Sequence, residues 1–382
     1  MNDLHPDVTI ISVVFTVAIS IGFFLSLILF VSRKGNTRAN KYLSLLIFSF
    51  STLEIWDFLI QTRFIIRYPH MIMSLNPLIF ILGPLVYFYV KALTSIDWKF
   101  SVKLVVHFIP AAAAYVYFWP VYFLDEQEKI RLISNAFINH KYIIPPAFYF
   151  LAVAHILVYL FFSVWRLLEH AKNIKNTFSF IERLNLNWLK YMLIIFSVLW
   201  FAFAIRVLYP TKWIWDISAF LSLLTMYIIG FFGYNQPVIF QESMIDTVST
   251  LNKEVKKKYA SSSLTEKDIT ENLKKIQMLM NTERLFLKND LKIGDVAEKI
   301  DLPVYYVSQV INEKLGKNFY DFINEYRVDE AKKRFADTKY DYMTILAVGF
   351  DSGFNSKTAF YSAFKRNTGM IPSEFKKHLT AR

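Results

Sequence analysis

Long apolar stretches dominate the first 234 residues of the chain. Seven of them have close to the ~20 residues that a helix needs to cross the hydrocarbon core of a bilayer. They cover residues 8–32, 42–61, 71–93, 102–124, 142–168, 186–208 and 213–234. Tryptophan and tyrosine stand at several of their ends, as is typical where lipid meets water. This pattern predicts a bundle of seven transmembrane helices.

Shorter amphipathic patterns replace these stretches towards the C-terminus. Apolar positions at helical spacing predict a short helix over residues 292–300. Asp301 follows at a tight turn, where aspartate tolerates the left-handed backbone region. Pro303 then suits the start of a second helix over 304–314, which Gly316 closes. These elements predict a helix-turn-helix unit, whose second helix can enter the major groove of DNA.

The polar face of the helix over residues 304–314 carries side chains that hydrogen-bond to base edges. They lie at positions i, i+3, i+4 and i+7, which is one face of a helix: Tyr305, Ser308, Gln309 and Asn312. This face carries no arginine, so a bidentate contact to guanine is not expected from it. We predict that these four residues face DNA bases.

A second unit with the same pattern follows. Gly353 and Phe354 make its turn, and Ser356 is a good N-cap for the helix that runs to about Asn367. The apolar residues of that helix face inward, and its outward side is polar and basic. We predict contacts to bases and phosphates from this side, by Lys357, Thr358, Tyr361, Ser362 and Lys365.

The stretch GFNSKTAFYSAFKRNTGMIPSEFKK, from residue 353 to residue 377, resembles the most characteristic part of the AraC/XylS family of bacterial transcription regulators. The resemblance extends over residues 285–378. It includes a predicted linker helix over 318–337 with the expected Arg327 and Ala331. It implies double-stranded DNA and RNA polymerase as partners. It also implies base-facing places for Tyr305, Ser308, Gln309, Lys357, Thr358 and Ser362.

The distribution of charged residues predicts on which side of the membrane each end of the chain lies. The net charge is +12, and most of the excess lies in residues 1–234. Lysine and arginine are more frequent in the loops that are internal if the N-terminus is external. Seven spans then leave the C-terminus inside, where DNA is. The start, MNDLHPDV, lacks the basic region of a removable signal peptide. We therefore predict a multi-pass protein of the bacterial cytoplasmic membrane, with the DNA-binding part in the cytoplasm.

Ionisable residues within the apolar stretches are candidates for sensing, because charge inside a membrane is costly and usually faces the interior of the bundle. They are Glu54, Asp57, His107, His155 and Arg206. One interpretation is a pocket for a small-molecule or membrane signal. The other is a set of hydrogen-bonded pairs, such as Glu54 or Asp57 with Arg206, that fixes helix packing. No metal-ligand spacing connects the two histidines. Both interpretations stay open.

Residues 235–263 are predicted to be a coupling linker. Apolar residues repeat there at near-heptad spacing, at Met244, Val248, Leu251 and Val255. This seam could pair with a second copy and make a homodimer. Alternatively, a monomeric helix could lie on the bilayer, with the following lysines at anionic headgroups.

The motifs of common enzyme classes are missing from the sequence. Without cysteine, disulfides, thiolate metal sites and cysteine nucleophiles are excluded. No GxGxxG, Walker loop, HExxH or GxSxG motif is present. We therefore expect neither an enzyme nor a bound cofactor.

Together these patterns predict an all-α chain. A seven-helix transmembrane bundle (1–234) and a linker (235–263) precede a soluble tandem helix-turn-helix domain (264–382), with units at about 291–316 and 342–375. The predicted function is that of a membrane-embedded one-component transcription regulator, in contact with the lipid bilayer and responsive to an unknown signal. The alternative is a membrane transporter or enzyme with a regulatory DNA-binding tail. Release of the DNA-binding part by proteolysis also stays open.

Overall fold

The structure is a computed structural model. It describes residues 9–95, 98, 101–139, 142–182, 184–209, 211–234 and 265–380. Within these ranges the regular elements are helices, accompanied by one isolated antiparallel β-bridge between Phe178 and Lys292. The helical fold agrees with the prediction. The predicted linker, residues 235–263, lies outside the described ranges.

The chain forms two compact units. The apolar-helix unit consists of Met1–Leu168 and Leu186–Val238, and the C-terminal unit consists of Glu169–Asn185 and Ile239–Arg382. The sequence pattern assigned all of residues 1–234 to one domain. The structure instead places the segment 169–185, which lies between two apolar helices in the sequence, in the C-terminal unit.

Apolar helices make up most of the first unit. Among the described residues, seven segments are long and apolar enough to cross a membrane: Ser12–Val31, Thr37–Gln61, Pro69–Thr94, Val102–Tyr122, Pro146–Thr177, Asn187–Leu208 and Trp213–Gly233. The regular helices of the unit are α1 (Ile10–Val31), α2 (Thr37–Gln61), α3 (Ile79–Thr94), α4 (Ile109–Tyr122), α5 (Glu126–Ile138), α6 (Pro146–Thr177), α7 (Asn187–Leu208) and α8 (Lys212–Tyr234). The last turns of α6 belong to the C-terminal unit.

Proline breaks the regularity of the third and fourth apolar segments. Short 3₁₀ turns that begin at or next to prolines, Pro69–Met71 and Asn76–Leu78, precede α3. A longer 3₁₀ stretch, Val102–Phe108, precedes α4, which has Pro110 in its first turn. Proline lacks the N–H that continues an α-helical ladder, so it is favoured where a helix begins. The apolar pattern could not show these breaks, nor did it predict α5.

Seven helices build the C-terminal unit from residue 265 onward. They are α9 (Glu266–Thr282), α10 (Ile293–Lys299), α11 (Val304–Leu315), α12 (Phe319–Ala336), α13 (Ile345–Asp351), α14 (Lys357–Thr368) and α15 (Pro372–Thr380). A capping box starts α9, where Thr265 Oγ1 accepts a hydrogen bond from the Asp268 amide at 3.2 Å and the Asp268 carboxylate accepts one from the Thr265 amide at 2.8 Å.

The turns of both helix-turn-helix units follow the sequence prediction. Asp301 has φ of 55°, in the left-handed region, between α10 and α11. Gly316 ends α11 with φ of 63°. Ser356 caps α14, and its Oγ accepts a hydrogen bond from the Ala359 amide at 3.0 Å. These three predictions are confirmed.

The linker helix α12 belongs to two hydrophobic cores. Its first half supplies Phe319, Phe322 and Ile323 to the core of the first helix-turn-helix unit, together with residues of α9, α10 and α11. Its second half supplies Val328, Ala331 and Phe335 to the core of the second unit, together with residues of α13 and α14. One rigid helix therefore sets the distance between the two units.

Candidate nucleic-acid interface and buried polar cavity

The second helix-turn-helix unit places its predicted face outward. A Cβ at Gly349 would lie 2.5 Å from Phe360 Cδ1, so only glycine allows α13 to approach α14 this closely. The close packing buries Ala359, Phe360, Ala363 and Phe364. The opposite side of α14 is exposed at Lys357, Thr358, Ser362 and Lys365, with Tyr361 half-buried beside them. Lys357 Nζ lies 5.5 Å from the centre of the Tyr361 ring.

The first unit differs from the expectation. Tyr305, Ser308 and Gln309 are each only 7% exposed, and Asn312 is half-buried. The burial of Tyr305, Ser308 and Gln309 differs from the open polar face that the pattern indicated, and contact of the four residues with DNA bases stays a prediction. The helix α11 is covered on more sides than an amphipathic pattern implies, because that pattern identifies the most apolar face but not every face that becomes buried.

Hydrogen bonds within α11 engage its polar side chains. Asn312 Nδ2 donates to the Ser308 carbonyl oxygen at 2.7 Å and to Ser308 Oγ at 3.2 Å. Gln309 Nε2 donates to Glu313 Oε1 at 3.0 Å. Bonds between residues one turn apart satisfy these groups without a ligand.

Two basic side chains near the second unit already have acidic neighbours. Arg366 lies 2.6 Å from an Asp321 carboxylate oxygen, and Lys376 lies 3.9 Å from one of Asp341. The acidic neighbours therefore partly offset the attraction of Arg366 and Lys376 to phosphate. The exposed Lys357 and Lys365 are better placed to meet a DNA backbone.

Three of the predicted sensing residues meet in the apolar-helix unit. Helix α2 supplies Glu54 and Asp57, and α7 supplies Arg206. Arg206 Nη1 donates to Asp57 Oδ2 at 2.8 Å, and its guanidinium group lies 4.3 Å from the centre of the Trp215 ring. The predicted pairing of Asp57 with Arg206 is therefore present, whereas no hydrogen bond joins Glu54 to Arg206 among the described contacts.

A cavity of about 60 Å³ lies beside this pair. Glu54, Asp57 and Arg206 line it, together with residues that the sequence did not point out, including Asn76, Trp200 and Ser222. Three buried polar atoms in its lining lack a hydrogen-bond partner among the described residues: Glu54 Oε2, Asn76 Oδ1 and Trp200 Nε1. Two hydrogen-bond acceptors and one donor can therefore bind a small polar molecule or ion in this cavity.

The two histidines lie elsewhere. His107 Nδ1 is 2.7 Å from the Tyr159 hydroxyl, and the His155 ring packs edge-on against the same tyrosine at 4.9 Å between centres. Neither histidine lines the cavity of Glu54. Among the described residues there is no group of three or more potential ligands that could hold a metal ion. The five predicted sensing residues thus form two clusters.

Comparison with known proteins concerns the C-terminal residues. Residues 296–378 match a family described as a helix-turn-helix domain. An uncharacterized HTH-type transcriptional regulator of Staphylococcus aureus (strain COL) is 27% identical over 102 residues, which are 27% of this chain and 13% of that protein. The melibiose operon regulatory protein of Escherichia coli (strain K12) is 29% identical over 87 residues, which are 23% of this chain and 28% of that protein. The chain thus spans only a small part of the length of these relatives.

One solved structure, of a protein of unknown function from Listeria innocua, is 25% identical and covers 26% of this chain and 92% of its own, with a TM-score of 0.23. A TM-score this low carries no argument about the fold. The sequence match and the two helix-turn-helix units built around α12 identify the domain without the help of this solved structure. Residues 296–378 therefore form a helix-turn-helix domain, and this part of the chain is similar to an HTH-type transcriptional regulator and to an operon regulatory protein.

Proposed function

We propose that the chain is a membrane-embedded one-component transcription regulator, which senses a signal at the membrane and binds promoter DNA sequence-specifically. One observation carries the proposal: a single chain combines an AraC-type helix-turn-helix domain with seven helices that are long and apolar enough to span a bilayer. A sensor and a DNA-binding domain in one polypeptide need no phosphotransfer between them.

The outer surface of the apolar-helix unit supports insertion into lipid. Large apolar side chains lie exposed on several of its helices, and many of them are 61% to 70% exposed: Phe24, Val116, Phe161, Phe201 and Phe220 are examples. Soluble monomers rarely expose apolar patches of this extent to water. Lipid chains would cover these side chains at no cost.

The C-terminal unit also supports the proposed topology. It contains both the segment 169–185 and the helices from residue 265 onward. Two apolar helices, α7 and α8, lie between these parts in the sequence. Two crossings return the chain to the side from which it started, so both parts lie on the same side. The larger number of lysines and arginines in the loops on that side supports the cytoplasm as its location.

We assign DNA contact to the outward side of α14, through Lys357, Thr358, Tyr361, Ser362 and Lys365. A base contact from Tyr305, Ser308 or Gln309 requires these side chains to become exposed first, because they are buried in the described arrangement. In the described arrangement, which is the one we take to bind DNA, sequence recognition therefore rests on α14.

We assign signal binding to the cavity of Glu54. Arg206 is already paired with Asp57, so the groups left for a ligand are the Glu54 and Asn76 oxygens and the Trp200 N–H. These groups suit a small molecule or ion that carries positive charge or several hydrogen-bond donors. A volume of about 60 Å³ limits it to a few non-hydrogen atoms.

The DNA-binding proposal is tested with the full chain in lipid nanodiscs, using genome-wide footprinting followed by affinity measurements on the recovered sites. We expect binding in preference to scrambled DNA, and an affinity that falls steeply as salt rises, because phosphate contacts release counterions. A folded, monodisperse sample without salt-dependent binding to any fragment would contradict the proposal.

The sensing proposal is tested with a transcriptional reporter and a panel of short primary amines and alkali-metal cations. Glu54→Gln keeps the shape of the side chain but replaces one of its two carboxyl oxygens by an NH2 group, so we expect the response to an active compound to be lost. Asp216→Asn is the matched control, since the Asp216 carboxylate also has an unpartnered oxygen but does not line this cavity. Equal responses of wild type and Glu54→Gln would exclude this cavity.

A further inference from the structure

Residues 177–180, which we call the strap, pack into the C-terminal unit although they lie between two apolar helices in the sequence. Phe178 forms the β-bridge with Lys292, and the Ser179 amide donates to the Leu291 carbonyl oxygen at 3.1 Å. All four strap residues are buried, and Ser179 is only 1% exposed. The strap is therefore part of the interior of the DNA-binding domain.

Ser179 binds an arginine at the centre of that domain. Arg327, on the linker helix α12, is 1% exposed. Its Nη1 donates to the Ser179 carbonyl oxygen at 2.9 Å, and its Nη2 donates to Ser179 Oγ at 3.0 Å. The Phe286 and Lys288 carbonyl oxygens and Asn324 Oδ1 accept the remaining hydrogen bonds, at 2.8, 2.8 and 3.3 Å. Together these use the five N–H donors of the guanidinium group.

The same guanidinium group also touches the second helix-turn-helix unit. Its carbon lies 5.8 Å from the centre of the Phe354 ring. A Cβ at Gly353, where φ is 96°, would lie 3.0 Å from Arg327 Nε and 2.4 Å from the Phe286 carbonyl oxygen. The turn of the second unit, the segment that leads into the first unit and the strap thus meet at one buried side chain.

Burial makes this junction sensitive to loss of the strap. Burial lowers the pKa of the Arg327 guanidinium group to about 10, so the side chain remains charged at neutral pH. Without Ser179, two of its five N–H donors would lose their acceptors. A buried charged donor without a partner draws in water or moves. Either response loosens contacts to both helix-turn-helix units.

We propose that the strap is an internal docking segment that holds the two helix-turn-helix units in the arrangement that binds DNA, and that a signal acts by docking or releasing it. The strap begins at the last residue of α6, and α7 starts a few residues after it, so a shift of either helix acts on it directly. The signal then reaches the DNA-binding domain through the loop before α7, not only through residues 235–263. This inference rests on the proposed function.

The test uses the full chain in nanodiscs and a DNA site recovered with the wild type. Ser179→Ala removes one acceptor of Arg327 and is expected to weaken DNA binding about tenfold, as for the loss of a hydrogen bond to a charged group. Thr270→Ala is the control, because the exposed Thr270 hydroxyl bonds only within α9, to the Glu266 carbonyl oxygen at 2.9 Å. We expect it to bind like the wild type.

A disulfide that holds the strap in place distinguishes release of the strap from a general loss of folding as the cause of weaker DNA binding. The chain has no cysteine, so Phe178→Cys with Lys292→Cys creates a single pair across the β-bridge, where opposed residues are close enough to join. Combined with Ser179→Ala, this pair should restore near wild-type affinity when oxidised and lose it again when reduced. Each single cysteine with Ser179→Ala should not respond to oxidation.

Three outcomes would each overturn the strap proposal while leaving the proposed function intact. Ser179→Ala could bind DNA with wild-type affinity, the disulfide could fail to form in membranes, or its oxidation could fail to restore DNA binding. If the wild type itself binds no DNA, the proposed function fails and the strap proposal fails with it.

Discussion

Two arginines are buried among the residues that the structure describes, and they show how much a single residue depends on its partners. Arg206 lies against the Asp57 carboxylate, whereas Arg327 bonds to carbonyl, amide and hydroxyl oxygens from four other residues. Removing one partner from a buried charge costs more than the pair contributes, because the remaining charge stays desolvated. A substitution at either arginine, or at one of its partners, is therefore expected to disturb several neighbouring residues. Exposed residues such as Lys357 behave differently, because water replaces whatever they lose.

Lys357→Ala tests the DNA-facing side of α14. We expect it to lower the affinity for the preferred site by ~1–3 kcal/mol without changing the fold, because an exposed lysine on a recognition helix contacts bases or phosphates. Lys339→Ala is the matched control, since Lys339 is exposed but lies in the turn after α12, outside both recognition helices. Fluorescence anisotropy with labelled duplexes measures both variants. Equal losses for the two lysines would show that α14 has no special role.

At the scale of elements, the contact between α13 and α14 depends on a glycine. Gly349 lets the two helices approach until the Phe360 ring fills the space where a Cβ would stand. Gly294, in α10, is also helical but has no neighbouring heavy atom within 4 Å of a Cβ. The same substitution therefore has opposite effects in the two helices.

Gly349→Ala should destabilise the second helix-turn-helix unit by ~1–3 kcal/mol, because an added methyl group overpacks the contact with Phe360. Gly294→Ala should stabilise α10 by ~0.5–1 kcal/mol, because alanine loses less backbone freedom than glycine in a helix. Hydrogen exchange of the amides in each helix reports the local opening free energy. Destabilisation of similar size in both variants would show that helix packing is not the cause.

At the scale of the whole molecule, the question is on which side of the membrane each loop lies. The proposed topology has the N-terminus outside and the C-terminal domain in the cytoplasm. Only an odd number of crossings is compatible with it, and the described part of the chain has seven helices long and apolar enough to cross.

Reporter fusions after Gly35 and Lys172 should be active in the cytoplasm, and fusions after Tyr68 and Glu126 should be active outside. The physical reason is that loops rich in lysine and arginine are retained inside. Paired reporters, one active only in the cytoplasm and one only outside it, measure each position twice. A cytoplasmic result at Glu126 would overturn the order of crossings, and an external result at Lys172 would also exclude docking of the strap.

The sequence by itself determined the features that local chemistry controls. The seven apolar stretches follow from length and hydropathy, and the turn at Asp301, the helix end at Gly316 and the cap at Ser356 follow from what each residue type allows its own backbone. The second helix-turn-helix unit was predictable for the same reason, because its outward side is simply the side opposite its apolar stripe.

Only the tertiary structure decided which distant residues meet. It buried Tyr305, Ser308 and Gln309, brought Glu54, Asp57 and Arg206 to the wall of one cavity, and placed Ser179 against Arg327. Ser179 and Arg327 are 148 positions apart. A contact over that distance leaves no periodic signal in the chain, since neither residue's neighbours reveal what it will touch. Periodicity shows which face of a helix is apolar, but packing decides what covers the other faces.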